Sequence, residues 1–187
     1  MSGHRSAWSI DFMNLKSARR FASAGALLGV AACTVNLGFD ITKDAVVLAP
    51  GTTVATTLPI DLANSKEVQE HNSNVESLSL ESLDLTVTAV ESDNHATSVT
   101  GSVALRAADA PADGSRDVAV GTIDALPITV GSHVHIPGSS KLDQFLYQEL
   151  QGTGQFSAVI AGTTQGGPTH ATIRVAMHAS LAYGVGL

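Results

Sequence analysis

The chain has 187 residues, of which 44% are hydrophobic and only 4% aromatic, with 17 glycines and one cysteine. The formal net charge of −7 and the isolated lysines and arginines beyond residue 33 argue against a nucleic acid as partner. A single cysteine excludes an internal disulfide and any metal site built from several cysteines. The abundance of glycine, threonine and valine favours β-structure with many turns over a helical bundle.

The first feature in chain order is a basic stretch followed by an apolar one. Lys16, Arg19 and Arg20 precede the uncharged apolar residues 21–32. This pattern is typical of a secretory signal, and the run is too short for a helix that crosses a bilayer core of about 30 Å. A buried N-terminal helix is the alternative, but the run is apolar all round and has no helical stripe.

We therefore predict a signal peptide over residues 1–32. Met13 is a candidate for the true start, because MNLKSARRFASAGALLGVAAC is a complete signal by itself. Cleavage before residue 33 would leave an acidic chain with 6 basic and 16 acidic side chains.

The apolar run ends in VAAC at residues 30–33, which resembles the lipobox of bacterial lipoproteins. The resemblance implies diacylglycerol on the Cys33 thiol, cleavage before Cys33 and an acyl chain on the new α-amine, with no other cofactor. In that family Thr34, where sorting signals have Asp, implies the outer membrane, on its periplasmic or surface face. The membrane and an envelope protein would be the partners. A secreted chain cleaved at another point is the alternative.

The rest of the chain alternates between apolar and polar residues with a period of two, which predicts strands. We expect residues 33–50 to form a lipid-anchored linker and first strand, and residues 51–187 to form the folded domain. Residues 64–74 are polar, which indicates a loop or one exposed helical turn. The strongest strand segments are 51–62, 77–90, 97–106, 155–164 and 170–183, and residues 118–137 contain two or three short strands. The alternation predicts two apolar faces, which consist of Leu83, Leu85, Val87 and Ala89 in 77–90 and of Ala171, Ile173, Val175, Met177, Ala179 and Leu181 in 170–183.

One segment changes to helical spacing. Leu142, Phe145, Leu146 and Leu150 recur at intervals of three and four, between serines that can cap a helix and a glycine that can end it. This pattern predicts one short helix over about 140–151. With seven or eight short strands and frequent turn signals, it predicts an immunoglobulin-like antiparallel β-sandwich.

The order of these segments is similar to the late-embryogenesis-abundant type 2 (WHy) family. The matching segments are the hairpin 83–90 and 99–105, the helix 142–150 and the strand 156–162. Residues 91–94 replace the Asn-Pro-Asn turn of that family. The resemblance implies a sandwich fold.

The strongest candidate for a functional site is the sequence HVH at residues 133–135. His133 and His135 would share one face of a strand and could hold Zn²⁺ or Cu²⁺, with His178 or His170 as a further ligand. The alternative is that both are exposed histidines without a ligand. No G-x-S-x-G elbow or comparable nucleophile motif is present, so we expect no enzyme.

These patterns together predict a non-enzymatic, lipid-anchored cell-envelope protein that acts as a structural or protein-interaction module. A periplasmic metal-binding module that uses His133 and His135 is one alternative. A carrier of an apolar ligand between the two sheets is another.

Overall fold

The computed structural model describes residues 33–185. This part of the chain forms eight strands and two α-helices, with short 3₁₀ turns on either side of the first helix. The strands are β1 Cys33–Ala49, β2 Thr53–Asp61, β3 Val75–Val90, β4 Ser98–Ala107, β5 Val118–Pro127, β6 His133–Pro137, β7 Gln155–Gln165 and β8 Thr169–Val185. The helices are α1 Lys66–His71 and α2 Ser140–Gln151.

The strands form two four-stranded antiparallel sheets, so the predicted β-sandwich is confirmed. Sheet A has the order β1-β8-β3-β6 and sheet B the order β2-β7-β4-β5. Most connections between consecutive strands therefore run from one sheet to the other. As a result, most paired strands are distant from each other in the sequence. Within the sandwich class this order is that of the jelly roll, a double sheet made of two Greek keys.

The core lies between the sheets and follows the alternation of each strand. In β8 the six inward residues are each at most 4% exposed: Ala171, Ile173, Val175, Met177, Ala179 and Leu181. In β3 the inward residues Leu83, Leu85 and Val87 are fully buried. The predicted apolar faces are thus confirmed except at Ala89, which is only half-buried. The intervening polar residues are left on the outer face of sheet A.

The predicted helix is confirmed as α2. Its four predicted apolar residues are all buried, and Phe145 packs edge-on against Phe156 of β7 with ring centroids 5.7 Å apart. The backbone amide of Leu80 donates a hydrogen bond to Asp143 Oδ1 at 2.8 Å, which joins α2 to β3. The helix therefore covers the core rather than extending into solvent.

One segment differs in detail from the sequence-based expectation, and another adopts one of its two predicted alternatives. Residues 33–49, expected to contain a linker and a first strand, form the single strand β1, which pairs with β8 from Cys33 opposite Val185 to Ala49 opposite Thr169. The polar segment 64–74, predicted as a loop or one exposed helical turn, forms the short helix α1 of 6 residues, in which Val68 is buried. The predicted signal peptide and the alternative start at Met13 lie outside the described residues. Within residues 33–185, neither helix has the length and apolar character needed to cross a membrane.

We expect Leu146→Ala to lower the free energy of unfolding by about 2–5 kcal/mol, because Leu146 is fully buried and the change leaves a cavity under α2. Urea unfolding followed by circular dichroism measures this. The matched control is Gln144→Ala on the exposed side of the same helix, for which we expect a change within about 0.5 kcal/mol. Equal losses in both variants would show that α2 does not cover the core.

Candidate functional site

The most distinctive polar arrangement is a row of four side chains that crosses the outer face of sheet A, one from each strand. His178 Nδ1 of β8 lies 2.6 Å from Asp40 Oδ1 of β1, and His178 Nε2 lies 3.2 Å from Asp84 Oδ2 of β3. On the other side of Asp84, Oδ1 lies 2.7 Å from His135 Nδ1 of β6. We refer to Asp40, His178, Asp84 and His135 as the Asp–His row.

Strand register brings the row together. Asp40 is directly opposite His178 in the β1–β8 pair, and His135 is directly opposite Asp84 in the β3–β6 pair. Side chains directly opposite each other on one face of an antiparallel pair are within contact distance. His178 is directly opposite Ser82, and Asp84, two residues further along β3, is its diagonal neighbour on the same face. Ser82 Oγ donates a hydrogen bond to Asp84 Oδ2 at 3.1 Å.

The row does not have the geometry of nucleophilic catalysis. In a Ser-His-Asp arrangement one ring nitrogen faces the acid and the other faces the nucleophile. Both ring nitrogens of His178 face carboxylates, and the nearby hydroxyl of Ser82 donates to Asp84 instead of to an imidazole. The row lies on an open face, where 67% of the Asp40 side chain and 61% of the His135 side chain are exposed. The four side chains of the Asp–His row contact one another through their nitrogen and oxygen atoms.

The structure brings together two of the four candidate metal ligands, whereas His170 contacts Asp93 instead, with Nδ1 2.8 Å from Oδ1. His135 and His178 both contact Asp84, but they reach this carboxylate from opposite sides because β3 lies between β6 and β8. His133 is on the same face one step further along, opposite Thr86. Among residues 33–185 no group of three or more His, Cys, Asp or Glu side chains is arranged to hold a metal ion. The metal site stays a prediction.

Cys33, the predicted lipidation site, is the first residue of β1. Its backbone pairs with that of Val185 at the end of β8. Cys33 is thus the first residue that the structure describes, and its backbone is already part of sheet A. Lipidation stays a prediction.

A second row on the same face contains an ion pair. Arg174 donates to Asp44 from Nε to Oδ1 at 2.9 Å and from its terminal nitrogen to Oδ2 at 3.2 Å. The hydrogen-bonding guanidinium holds the pKa of the Asp44 carboxyl below its usual value. Next along β1, Val46 and Leu48 point outward with 63% and 68% of their surface exposed.

The aspartates of both rows and the exposed apolar pair were not identified from sequence. The signal available was the alternation itself, which places Asp40, Asp44 and Val46 at every second position of residues 33–49. Alternation shows which residues share a face, but the partners on the neighbouring strand depend on register. Register between strands as distant as β1 and β8 is not readable from the chain.

The interior of the sandwich is almost completely filled. Between the sheets a cavity lined by Val47, Ile123, Thr164 and Thr169, among others, has a volume of about 10 Å³, which is room for about one water molecule. Pockets for small molecules usually measure about 300–1,000 Å³. Transport of an apolar ligand in this cavity would require the sheets to separate.

A surface groove of about 450 Å³ lies where β1 and β2 diverge, and Lys43, Pro59 and Asp61 line it. Asp61 Oδ2 accepts hydrogen bonds from Asn64 and Gln155, whereas its Oδ1 is buried without a hydrogen-bond partner among the described residues. The groove is open to solvent on one side. It offers one charged side chain of each sign and no converging set of polar groups.

A third cleft of about 350 Å³ lies beside the end of α2, between Asp109 and Glu149. Burial raises the pKa of the Glu149 carboxyl, and the negative charge of Asp109 raises it further. Asp109 already has a counter-ion, since it lies 3.0 Å from Arg116. Two carboxylates with one guanidinium do not by themselves define a ligand.

Comparison with known proteins gives only distant likenesses. No protein-family model matches the chain, and no curated protein matches it. Among solved structures, Desmodium yellow mottle tymovirus is 11% identical with a TM-score of 0.35, over 100% of this chain and 98% of that one. A structure of turnip yellow mosaic virus is 16% identical with a TM-score of 0.34, over 97% and 93% of the two chains. Likenesses at this level carry no argument about function.

We expect Arg174→Gln to raise the pKa of Asp44 towards its usual value, because the guanidinium hydrogen bonds that favour the carboxylate are lost. A carboxyl-carbon NMR titration measures this. Since the folded-state pKa is lowered, the pair stabilises the fold above the unfolded-state value, and this contribution is lost as the pH falls through the folded-state pKa. Lys43→Gln, one residue away, is the control and should leave Asp44 unchanged. An Asp44 pKa that stays low in Arg174→Gln would refute the assignment.

Proposed function

We propose that the protein is a non-enzymatic structural protein, a jelly-roll subunit that associates with other copies of itself. One combination of features supports the proposal. The space between the sheets is filled with side chains, and the polar side chains on the exposed face of sheet A bind one another. The cavity between the sheets measures about 10 Å³. The imidazoles and carboxylates of the Asp–His row are in mutual contact at 2.6–3.2 Å.

The fold class limits the candidate functions but does not select one of them. Jelly rolls occur in capsid subunits, in lectin domains and in cupins, and a fold alone does not determine function. Cupin-type and lectin-type uses require an interior or surface site with converging polar groups or a metal. A core without room for a ligand supports the third use of the jelly roll, in which the sandwich is a rigid subunit of a larger assembly.

The edges of the sheets support association through faces rather than through open-ended strand pairing. Pro59 lies in the edge strand β2 and Lys43 in the edge strand β1, both beside the groove where the two strands diverge. Proline and lysine on edge strands discourage pairing with another chain. The outer face of sheet A, in contrast, exposes apolar side chains on β1, which is typical of a surface that meets another protein.

We expect the purified full chain to form assemblies whose mass is a multiple of its 19.2 kDa and rises with protein concentration. Sedimentation velocity between about 1 and 200 µM covers the range of weak and moderate association. A chain that sediments as a monomer throughout this range would refute self-association. Assays for hydrolysis would remain negative on this proposal.

A lipid anchor at Cys33 is a second proposal, favoured by one observation. All eight described strands lie at or after Cys33, so cleavage just before this residue would keep every one of them in the mature chain. The lipid would then hold the end of the sandwich formed by Cys33 and Val185 against the outer membrane of the envelope. An envelope protein would be the further partner.

We expect the protein from its native membrane fraction to have the mass of residues 33–187 plus a diacylglycerol and an acyl chain. Intact-protein mass spectrometry measures this. Cys33→Ala should move the protein to the soluble fraction, whereas Ala32→Gly, which keeps a small residue before the cysteine, should not. An unmodified mass, or a Cys33→Ala chain that stays with the membrane, would refute the anchor.

A further inference from the structure

We infer that two copies of the chain associate about a two-fold axis through one patch on the outer face of sheet A. The patch consists of Val46, Leu48 and Asp44 of β1 with Thr172 and Arg174 of β8, and we call it the β1 patch. The inference rests on the proposed self-association and specifies the surface that performs it.

The first argument is apolar exposure. Val46 and Leu48 are two residues apart on β1 and therefore point to the same side of the sheet. They expose 63% and 68% of their surface. Thr172 is directly opposite Val46, and its side chain is too short to cover the valine. Adjacent exposed apolar side chains on a rigid sheet favour burial against another surface.

The second argument is charge, and it selects another copy as the occupant. Asp44 and Arg174 form a bidentate pair within the patch, and each side chain is 49% exposed. In a two-fold contact the same residues meet in exchanged order, so Asp44 of one copy can face Arg174 of the other. A surface that contains one charge of each sign is therefore complementary to itself.

The remaining charge of the body argues against a basic partner at this patch. Residues 33–187 contain 6 basic and 16 acidic side chains. Glu91 in the β3–β4 turn and Asp124 on β5 are exposed, and both lie outside the patch. A basic partner would be attracted to such carboxylates, whereas the β1 patch offers it only an aspartate that is already neutralised.

The central test replaces one apolar residue. Leu48→Asp should weaken self-association of the full chain at least about tenfold, because a carboxylate would be buried without a partner. Val130→Asp is the matched control, since Val130 lies in the β5–β6 turn and exposes a similar 67% of its surface. This control should associate like the wild type. Sedimentation velocity gives the dissociation constants, and circular dichroism verifies that all variants are folded.

A charge exchange tests the second argument. Arg174→Glu places two negative charges in the patch and should weaken association, whereas the double variant Asp44→Arg/Arg174→Glu restores one charge of each sign and should recover it. Because the double variant also restores the pair within one copy, the decisive sample is an equimolar mixture of Asp44→Arg and Arg174→Glu. This mixture should associate although neither variant associates well alone, since opposite charges then meet only between copies. A mixture that associates no better than the separate variants would overturn cross-copy pairing.

The outcomes separate this inference from the proposed function. If the wild type associates and Leu48→Asp associates equally well, the β1 patch is refuted while self-association stands. If the wild type is monomeric, both are refuted. If Val130→Asp weakens association as much as Leu48→Asp, the contact is not confined to the patch, and the inference is overturned.

Discussion

The pairing of β8 with β1 on one side and β3 on the other is the constraint on which the rest of the structure depends. All 17 residues of β8 are paired with β1, and most of them are also paired with β3. Because side chains alternate, fixing this register buries the six inward residues of β8 and at the same time aligns the outward residues of three strands. A slip of one residue would reverse both faces at once.

The same register explains why the polar groups on the outer face of sheet A form pairs. Asp40 meets His178 and Asp44 meets Arg174 because each pair occupies directly opposite positions. Opposite charges across a strand pair stabilise a sheet modestly, and on an exposed face their main effect is on specificity of pairing. Two of the predicted metal ligands, His135 and His178, are therefore engaged with carboxylates. The strand register places aspartates beside these histidines, and the sequence alone did not indicate those contacts.

The edges and the outer face of the sandwich differ in how well they suit contact with another chain. Lys43 and Pro59 discourage strand addition at the side where β1 and β2 diverge. The outer face of sheet A combines a flat, hydrogen-bonded surface with the exposed pair Val46 and Leu48. This division favours contacts of defined geometry over open-ended stacking, which suits a structural subunit. Such contacts require the rigidity that a filled core provides.

The sequence by itself determined the β-sandwich class, the helix at 140–151 and the inward faces of β3 and β8, because these depend on local periodicity and burial. It did not determine the order of the strands, since the sheets pair residues as far apart as Cys33 and Val185. For the same reason the Asp–His row and the β1 patch were out of reach: their members come from strands that are distant in the chain. Period tells which residues share a face, and only tertiary pairing decides which of them meet.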